Sequence, residues 1–400
     1  MLKTIASNTF AQLVAKFFGA GLTLLTTYYT IRLAGLDLYG DLTKILVLVA
    51  IGFTAIDFGL NAQGLRSASS PAQMRRNTQT ILIARLFLSC LAILGLNIFI
   101  YLLGGGYSPA LKSLFWVGSL AIIFQGIYTS ANAWFQYTLS YWRSTLAVVV
   151  GSLFGTLLTF YYLSHSPTLF HLVLANTLGY LVMALCSLLL LPRLYISTTA
   201  KVSSIFPFLA RASTLGFILL ASVFASKIDT VMLGIFRPSG EVGQYGFAYR
   251  IFDVILVIPV FVMNSVYPLL LGSIARGQTR ALIYLTSLTM LILGLIAATT
   301  LWFVAPAVLL VKSSLILSVP ILRILAFSLP LFYLTAPLMW GLIAKHQDKL
   351  VLSIYAAAAF LNLCLNLAFI PRYGALAAAY NTGLTELIIL ISLLYFSRSL

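Results

Sequence analysis

Long apolar stretches separated by short polar clusters organise the whole 400-residue chain. A helix that crosses a bilayer needs about 20 predominantly apolar residues. Twelve stretches meet that length: 9–31, 42–63, 78–103, 111–136, 144–163, 169–191, 208–234, 242–270, 281–304, 319–343, 350–370 and 374–397. They are continuous runs with scattered glycine, where barrel strands would alternate polar and apolar residues in short segments. The pattern therefore predicts an all-α integral membrane protein of about twelve transmembrane helices. No connection is long enough for a soluble domain, the longest being 192–207.

The chain also repeats itself. A shift of 206 residues superposes Tyr39-Gly40 on Tyr245-Gly246, Lys44 on Arg250, Trp134 on Trp340 and Arg143 on Lys349. Six spans per half let both halves enter and leave on one side. Repeats of that kind are related by an axis along the membrane normal. The expectation is two six-helix lobes related by a pseudo-two-fold, residues 1–195 and 207–400, joined by a cytoplasmic linker at 196–206.

Composition changes the picture only by removing alternatives. Hydrophobic residues make up 61% and charged residues 8%, against about 25% charged in soluble domains. Such a chain cannot cover a water-facing surface. The net charge of +16 comes from 24 Lys and Arg against 8 Asp and Glu. Most of those cations lie between apolar runs, where they set topology and meet anionic lipid, so no nucleic-acid partner is expected. Lys3, Arg66, Arg75, Arg76, Arg143, Arg193, Lys201, Arg276, Arg280, Lys345, Lys349 and Arg398 fall on one side; Arg32, Lys112, Arg237, Lys312 and Arg372 fall on the other. Twelve against five puts both termini in the cytoplasm. Cys90, Cys186 and Cys364 lie inside apolar runs and read as small core residues. His165, His171 and His346 are too scattered for a metal site, and Gly104-Gly105-Gly106 lacks the Lys and Ser/Thr of a phosphate loop. No cofactor is expected, and direct use of ATP is not.

The informative residues are the charges inside the spans: Lys16, Lys44, Arg85, Arg211, Lys227, Arg250 and Arg323 against Asp57, Asp229, Asp253 and Glu386. A charge at the bilayer centre costs at least about 3 kcal/mol. Some of these can snorkel to an interface, as Arg211 could from its helix start, or pair within a helix, as Arg250 could with Asp253. Full pairing would still leave three cations in search of an anion, which suggests a cationic cavity for a negatively charged substrate. Lys227 and Asp229, two apart, cannot share a helix face. Lys227 and Arg250 flank the same outer loop at similar depth. Pro259, Pro330 and Pro337 predict kinks. Trp134 and Trp340 suit interfacial belts, or stacking on a sugar.

The stretch D-T-V-M-L-G at 229–234, followed by V-G-Q-Y-G-F-A-Y-R at 242–250, resembles the seventh-to-eighth span signature of the polysaccharide-biosynthesis flippases. These O-antigen and capsule repeat-unit translocases form part of the multidrug/oligosaccharidyl-lipid/polysaccharide exporter superfamily. L-A-G-L-D-L-Y-G-D-L-T-K at 33–44 and A-I-D-F-G-L-N-A-Q-G-L-R at 55–66 are similar to that family's second span and its cytoplasmic exit. The resemblance implies alternating access, with or without an ion gradient. The cargo it implies is an undecaprenyl-diphosphate-linked oligosaccharide, crossing the bacterial inner membrane toward the periplasm. It makes Lys16, Lys44, Arg85, Lys227 and Arg250 candidate contacts for the diphosphate or for acidic sugars. Asp57, Asp229, Asp253 and Glu386 become candidates for ion coupling or internal pairing. Implied partners are the lipid-linked oligosaccharide, membrane lipids and the glycan polymerase machinery. The peptidoglycan-precursor flippases of the superfamily typically have two more spans than the twelve read here, which argues against that branch. Drug/cation antiporters of the superfamily are the nearest rival. A membrane enzyme of lipid-linked glycan assembly is a further alternative, but its surface constellation of His and carboxylates is missing, so the chain reads as a transporter rather than an enzyme.

Overall fold

The computed structural model describes residues 18–192, 205–274 and 279–397, and every regular element in them is helical. Helix α1 covers 18–34 and closes in a π-helical turn, Thr30–Ala34. It is followed by α2 (Leu36–Asp57), α3 (Leu60–Arg66), α4 (Pro71–Leu102), α5 (Pro109–Tyr137), α6 (Tyr141–His165) and α7 (Leu169–Leu189). Then come α8 (Ile205–Phe236), α9 (Ser239–Ile255), α10 (Val257–Ile274), α11 (Thr279–Val304), α12 (Ser318–Ala344) and α13 (Asp348–Ser397). Among the described residues, ten helical segments are long and apolar enough to cross a membrane.

Local sequence sets the helix starts. Ser70 and Ser108 each accept a hydrogen bond from the backbone N–H three residues on, and each is followed by proline at the first helical position. Proline has no N–H to leave unsatisfied there. Burial differs from that of a soluble protein in the large apolar side chains left exposed and the amides and hydroxyls taken inside. Leu94, Leu157, Phe303 and Phe360 stand exposed, whereas Ser89, Asn97, Asn362 and Asn366 are buried. Lipid solvates the apolar side chains but offers polar groups no hydrogen bond, so the latter turn inward. Cys90 and Cys364 are exposed as well, contrary to the expectation that they lie in the core. A thiol is apolar enough to face lipid.

The chain divides into two compact units, Met1–Leu220 and Ala221–Leu400. The division falls within α8, later than the linker expected at 196–206, nearly all of which lies outside the described residues. In the first unit, α6 and α7 approach closely at small residues. A side-chain carbon at Gly151 would meet the backbone of Gly179, and Gly155 also lies against Gly179. Small residues spaced this way let backbones touch where lipid supplies no hydrophobic drive. In the second unit α12 packs against both α11 and α13.

Three helix breaks place the polar side chains of the interior. Between α2 and α3, Phe58 and Gly59 both adopt left-handed backbone. Between α9 and α10 the helix is interrupted at Leu256. Pro259 has no N–H for the carbonyl four residues back, Ile255, and the Tyr333 hydroxyl of α12 donates to it instead at 3.0 Å. The third break joins two expected spans, 350–370 and 374–397, into α13, which bends at Gly374 with φ 60° and ψ −137°. That backbone is open essentially to glycine alone. The N–H of the next residue, Ala375, donates to Glu241 Oε1 at 2.7 Å, and Arg237 holds the other carboxylate oxygen at 2.8 Å. Glu241 thereby caps the second arm of α13, where a negative charge also meets the positive end of the helix dipole.

Candidate functional site

The break after α2 creates the polar centre of the first unit. Asp57 ends α2, where a carboxylate faces the negative end of the helix dipole. Arg85 on α4 answers it. Its guanidinium is fully buried and donates to Asp57 Oδ1 at 2.7 Å, to the Ile56 carbonyl at 3.2 Å, to Asn61 Oδ1 at 2.9 Å and to Ser130 Oγ at 3.3 Å. The planar fork of arginine suits several acceptors on separate elements in a way a lysine ammonium would not. Asp57 keeps 44% of its side chain exposed, so one face of the pair is open.

Lys44 on α2 is also buried. Its ammonium donates to Asp41 Oδ1 at 3.1 Å and to the Gly106 carbonyl at 2.8 Å, and it lies over the Tyr107 ring. It ties the loop after α4 to α2. Lys44 and Arg85, both expected as substrate-facing cations, meet acceptors from their own unit. Lys16 lies outside the described residues. Arg211 is exposed, and Arg323 stacks over Trp302.

The second unit arranges its charges differently. Asp229 on α8 is buried and accepts from Thr230 N at 2.6 Å, from Thr382 Oγ1 at 3.2 Å and from the Tyr245 hydroxyl. Near it, Asn381 donates to Asn366, and Asn366 to Asn362, which in turn donates to Thr385. Lys227 does not use Asp229. It pairs with Asp253 Oδ2 at 2.9 Å and lies 4.4 Å from the Tyr249 ring centroid. That pair is partly open, with 22% of the Lys227 side chain and 40% of the Asp253 side chain exposed. The pairing that Arg250 could have made with Asp253 along α9 is not formed. Arg250 is half-buried on α9 and forms no hydrogen bond or ion pair among the described residues.

Glu386 on α13 is buried and lines a cavity of about 220 Å³ whose walls come from α8, α10, α12 and α13. Thr335, Trp340, Tyr355, Thr382 and Thr385 share its wall. Thr335 Oγ1 lies 2.5 Å from Glu386 Oε1. The sequence reading missed these hydroxyl and amide groups. Their signal was present as Asn362 and Asn366 at helical spacing and as Asn381, Thr382 and Thr385 inside one apolar run. Periodicity could place them on a helix face, but not decide what each face meets.

The family model for polysaccharide biosynthesis proteins matches residues 5–274. This chain belongs to that family. The match takes in the first unit and the second as far as α10, including Asp57, Arg85, Lys227, Asp229, Arg250 and Asp253. No curated protein matches the chain significantly in sequence. Among solved structures, an inward closed form of the lipid II flippase MurJ superposes with a TM-score of 0.78 at 15% identity, covering 96% of this chain and 87% of that one. An inward-facing multidrug resistance MATE transporter of the MOP superfamily gives 0.76 at 13% identity, covering 94% of each chain. An outward-facing one gives 0.63 at 13%, covering 98% of this chain and 94% of that one. At these identities the likeness is one of fold. The expectation of an all-helical membrane architecture, and of this family, holds. The fold does not separate a lipid II flippase from a multidrug transporter, so span count cannot serve to exclude either branch.

Proposed function

We propose that this family member is a flippase for an undecaprenyl-diphosphate-linked oligosaccharide, an O-antigen or capsule repeat unit. It would move its cargo by alternating access from the cytoplasmic to the periplasmic leaflet of a bacterial inner membrane, with both termini cytoplasmic. It would hand that cargo to the glycan polymerase machinery and catalyse no covalent step itself. The observation that carries the reading, within a polysaccharide biosynthesis family, is Arg250. A guanidinium in a membrane-spanning helix, half-buried and without an acceptor among the described residues, calls for an anion from outside. Lys227, with only part of its charge taken up by Asp253, supports the same role. A diphosphate offers both of them charge-assisted hydrogen bonds. Lys16 stays in the proposal as a further cation. Lys44 and Arg85 leave it, because their donors are already engaged.

The test is complementation of a deletion strain, read as surface polysaccharide on a gel beside an immunoblot of the protein. Arg250→Ala and Lys227→Ala should lower polysaccharide while protein abundance stays near normal. Normal polysaccharide from both variants would remove the anion-site reading. A drug/cation antiporter is the second reading, favoured by the fold likeness to multidrug transporters and by the carboxylates Asp229 and Glu386. It predicts that deletion changes drug susceptibility and leaves polysaccharide intact.

A further inference from the structure

Two buried carboxylates of the second unit differ in the donors that surround them. Asp229 is surrounded by donors. Even if Thr382 directs its single proton to the Ala378 carbonyl, 3.0 Å away, the Tyr245 hydroxyl and Thr230 N–H remain on the carboxylate. Hydrogen bonds to the charged form favour that form. Glu386 has neither that set of donors nor a counter-ion. No Lys, Arg or His among the described residues lies within ion-pair distance of it. Its one hydrogen-bond partner among the described residues, Thr335 Oγ1, also lies 3.0 Å from the Phe332 carbonyl.

A hydroxyl has one proton to donate. If Glu386 is ionised, its carboxylate and the Phe332 carbonyl compete for that proton. If Glu386 is protonated, it donates to Thr335 Oγ1, which donates to Phe332, and all three groups are satisfied. A lone carboxylate in a buried, membrane-spanning site takes up a proton rather than remain charged. The cavity beside it, at about 220 Å³, has room for several waters at about 30 Å³ each, so a proton has somewhere to go.

We propose that Glu386 is a proton-binding site within the second unit, protonated at neutral pH and exchanging its proton with the cavity. The titratable groups in electrostatic reach of it are Tyr249 of α9 and Tyr355 of α13. From α12 it meets only the Thr335 hydroxyl, and from α8 the cavity wall adds Ser222 and Ser226. Asp229 of α8 bonds to Thr382, which shares that wall. Loss of the proton would turn the Thr335 hydroxyl from Phe332 to the carboxylate. Thr335 lies between Pro330 and Pro337 on α12, where the helix has already lost hydrogen bonds. Proton exchange and a change in the α12–α13 contact are thereby linked. As a coupling step this rests on the transporter reading; as a proton site it does not.

The test is infrared spectroscopy of the purified full-length protein in lipid nanodiscs, without substrate. A protonated-carboxyl C=O band should be present at neutral pH, decline on alkalinisation, and be lost in Glu386→Gln but not in Glu241→Gln. If Glu386→Gln does not accumulate, Thr335→Val replaces it, and the band should shift in frequency because the acid has lost its acceptor. A wild-type protein without such a band, or a band that neither variant moves, overturns the assignment. So does a band displaced by sodium but indifferent to pH, which would make the site one for a metal cation. Failure of the spectrum leaves the flippase reading standing, and failure of complementation leaves the proton site standing.

Discussion

The two units answer the same problem, charge inside a membrane-spanning fold, in opposite ways. In the first, the buried charges among the described residues are cations, Lys44 and Arg85, and Arg85 is matched by one carboxylate and three further acceptors drawn from α2, α3 and α5. In the second, the buried charges are anions, Asp229 and Glu386, held by hydroxyls and backbone without an ion pair among the described residues. Two cations of that unit, Lys227 and Arg250, stay partly open. A pair such as Arg85 with Asp57, whose cation is fully buried, fixes a helix break in place. An open cation and a cation-free carboxylate are free to change partner, as a transport cycle requires. The first unit reads as the rigid half of this contrast and the second as the one with chemistry to exchange.

The contrast breaks most sharply at Arg85. Arg85→Leu should destabilise the first unit by about 3 kcal/mol, because the Ile56, Asn61 and Ser130 acceptors lose their donor. Melting of the detergent-solubilised protein, followed by fluorescence size-exclusion, reads it. A wild-type melting temperature would show the pair to be dispensable. Next is Tyr245→Phe, which strips Asp229 of a donor. It should cost about 1.5–3 kcal/mol, as for a hydrogen bond to a charged group, and an unchanged melt would mean that Asp229 is neutral. Lys227→Ala should move the melt by at most about 1 kcal/mol, since the Asp253 it leaves behind is hydrated. Polysaccharide should fall nonetheless, and Lys227→Arg should retain more of it. A severe loss of protein in Lys227→Ala would place that pair with Arg85 on the structural side. Arg250→Ala should have the smallest effect on the melt, because no bond among the described residues is lost, with its cost confined to transport.

Much of this was legible along the chain. Serine followed by proline at 70–71 and 108–109 marks helix starts because cap chemistry is local. Asp57, Asp229, Asp253 and Glu386 stand out as functional or paired because charge is costly in lipid wherever it falls. The site was legible only as a set of residues. Within that set, Lys44 and Arg85 looked like Lys227 and Arg250, yet the former are enclosed and the latter are open. The hydroxyl and amide groups around the carboxylates were not singled out, because Ser and Thr are ordinary inside membrane helices and readily bond their own backbone.

By itself, the sequence determined the class of solvent, the helical character and the family, since each depends on composition and short-range pattern summed over many residues. Which charge meets which was decided only by tertiary structure. Lys227 meets Asp253, 26 residues away, rather than Asp229, two residues away. Arg85 reaches Asp57 only because the chain breaks at Phe58 and Gly59. The physical reason is range. A hydrogen bond or ion pair exists within a window of about an ångström, and that window is set by how helices break and pack, whereas periodicity fixes only the face on which a side chain stands.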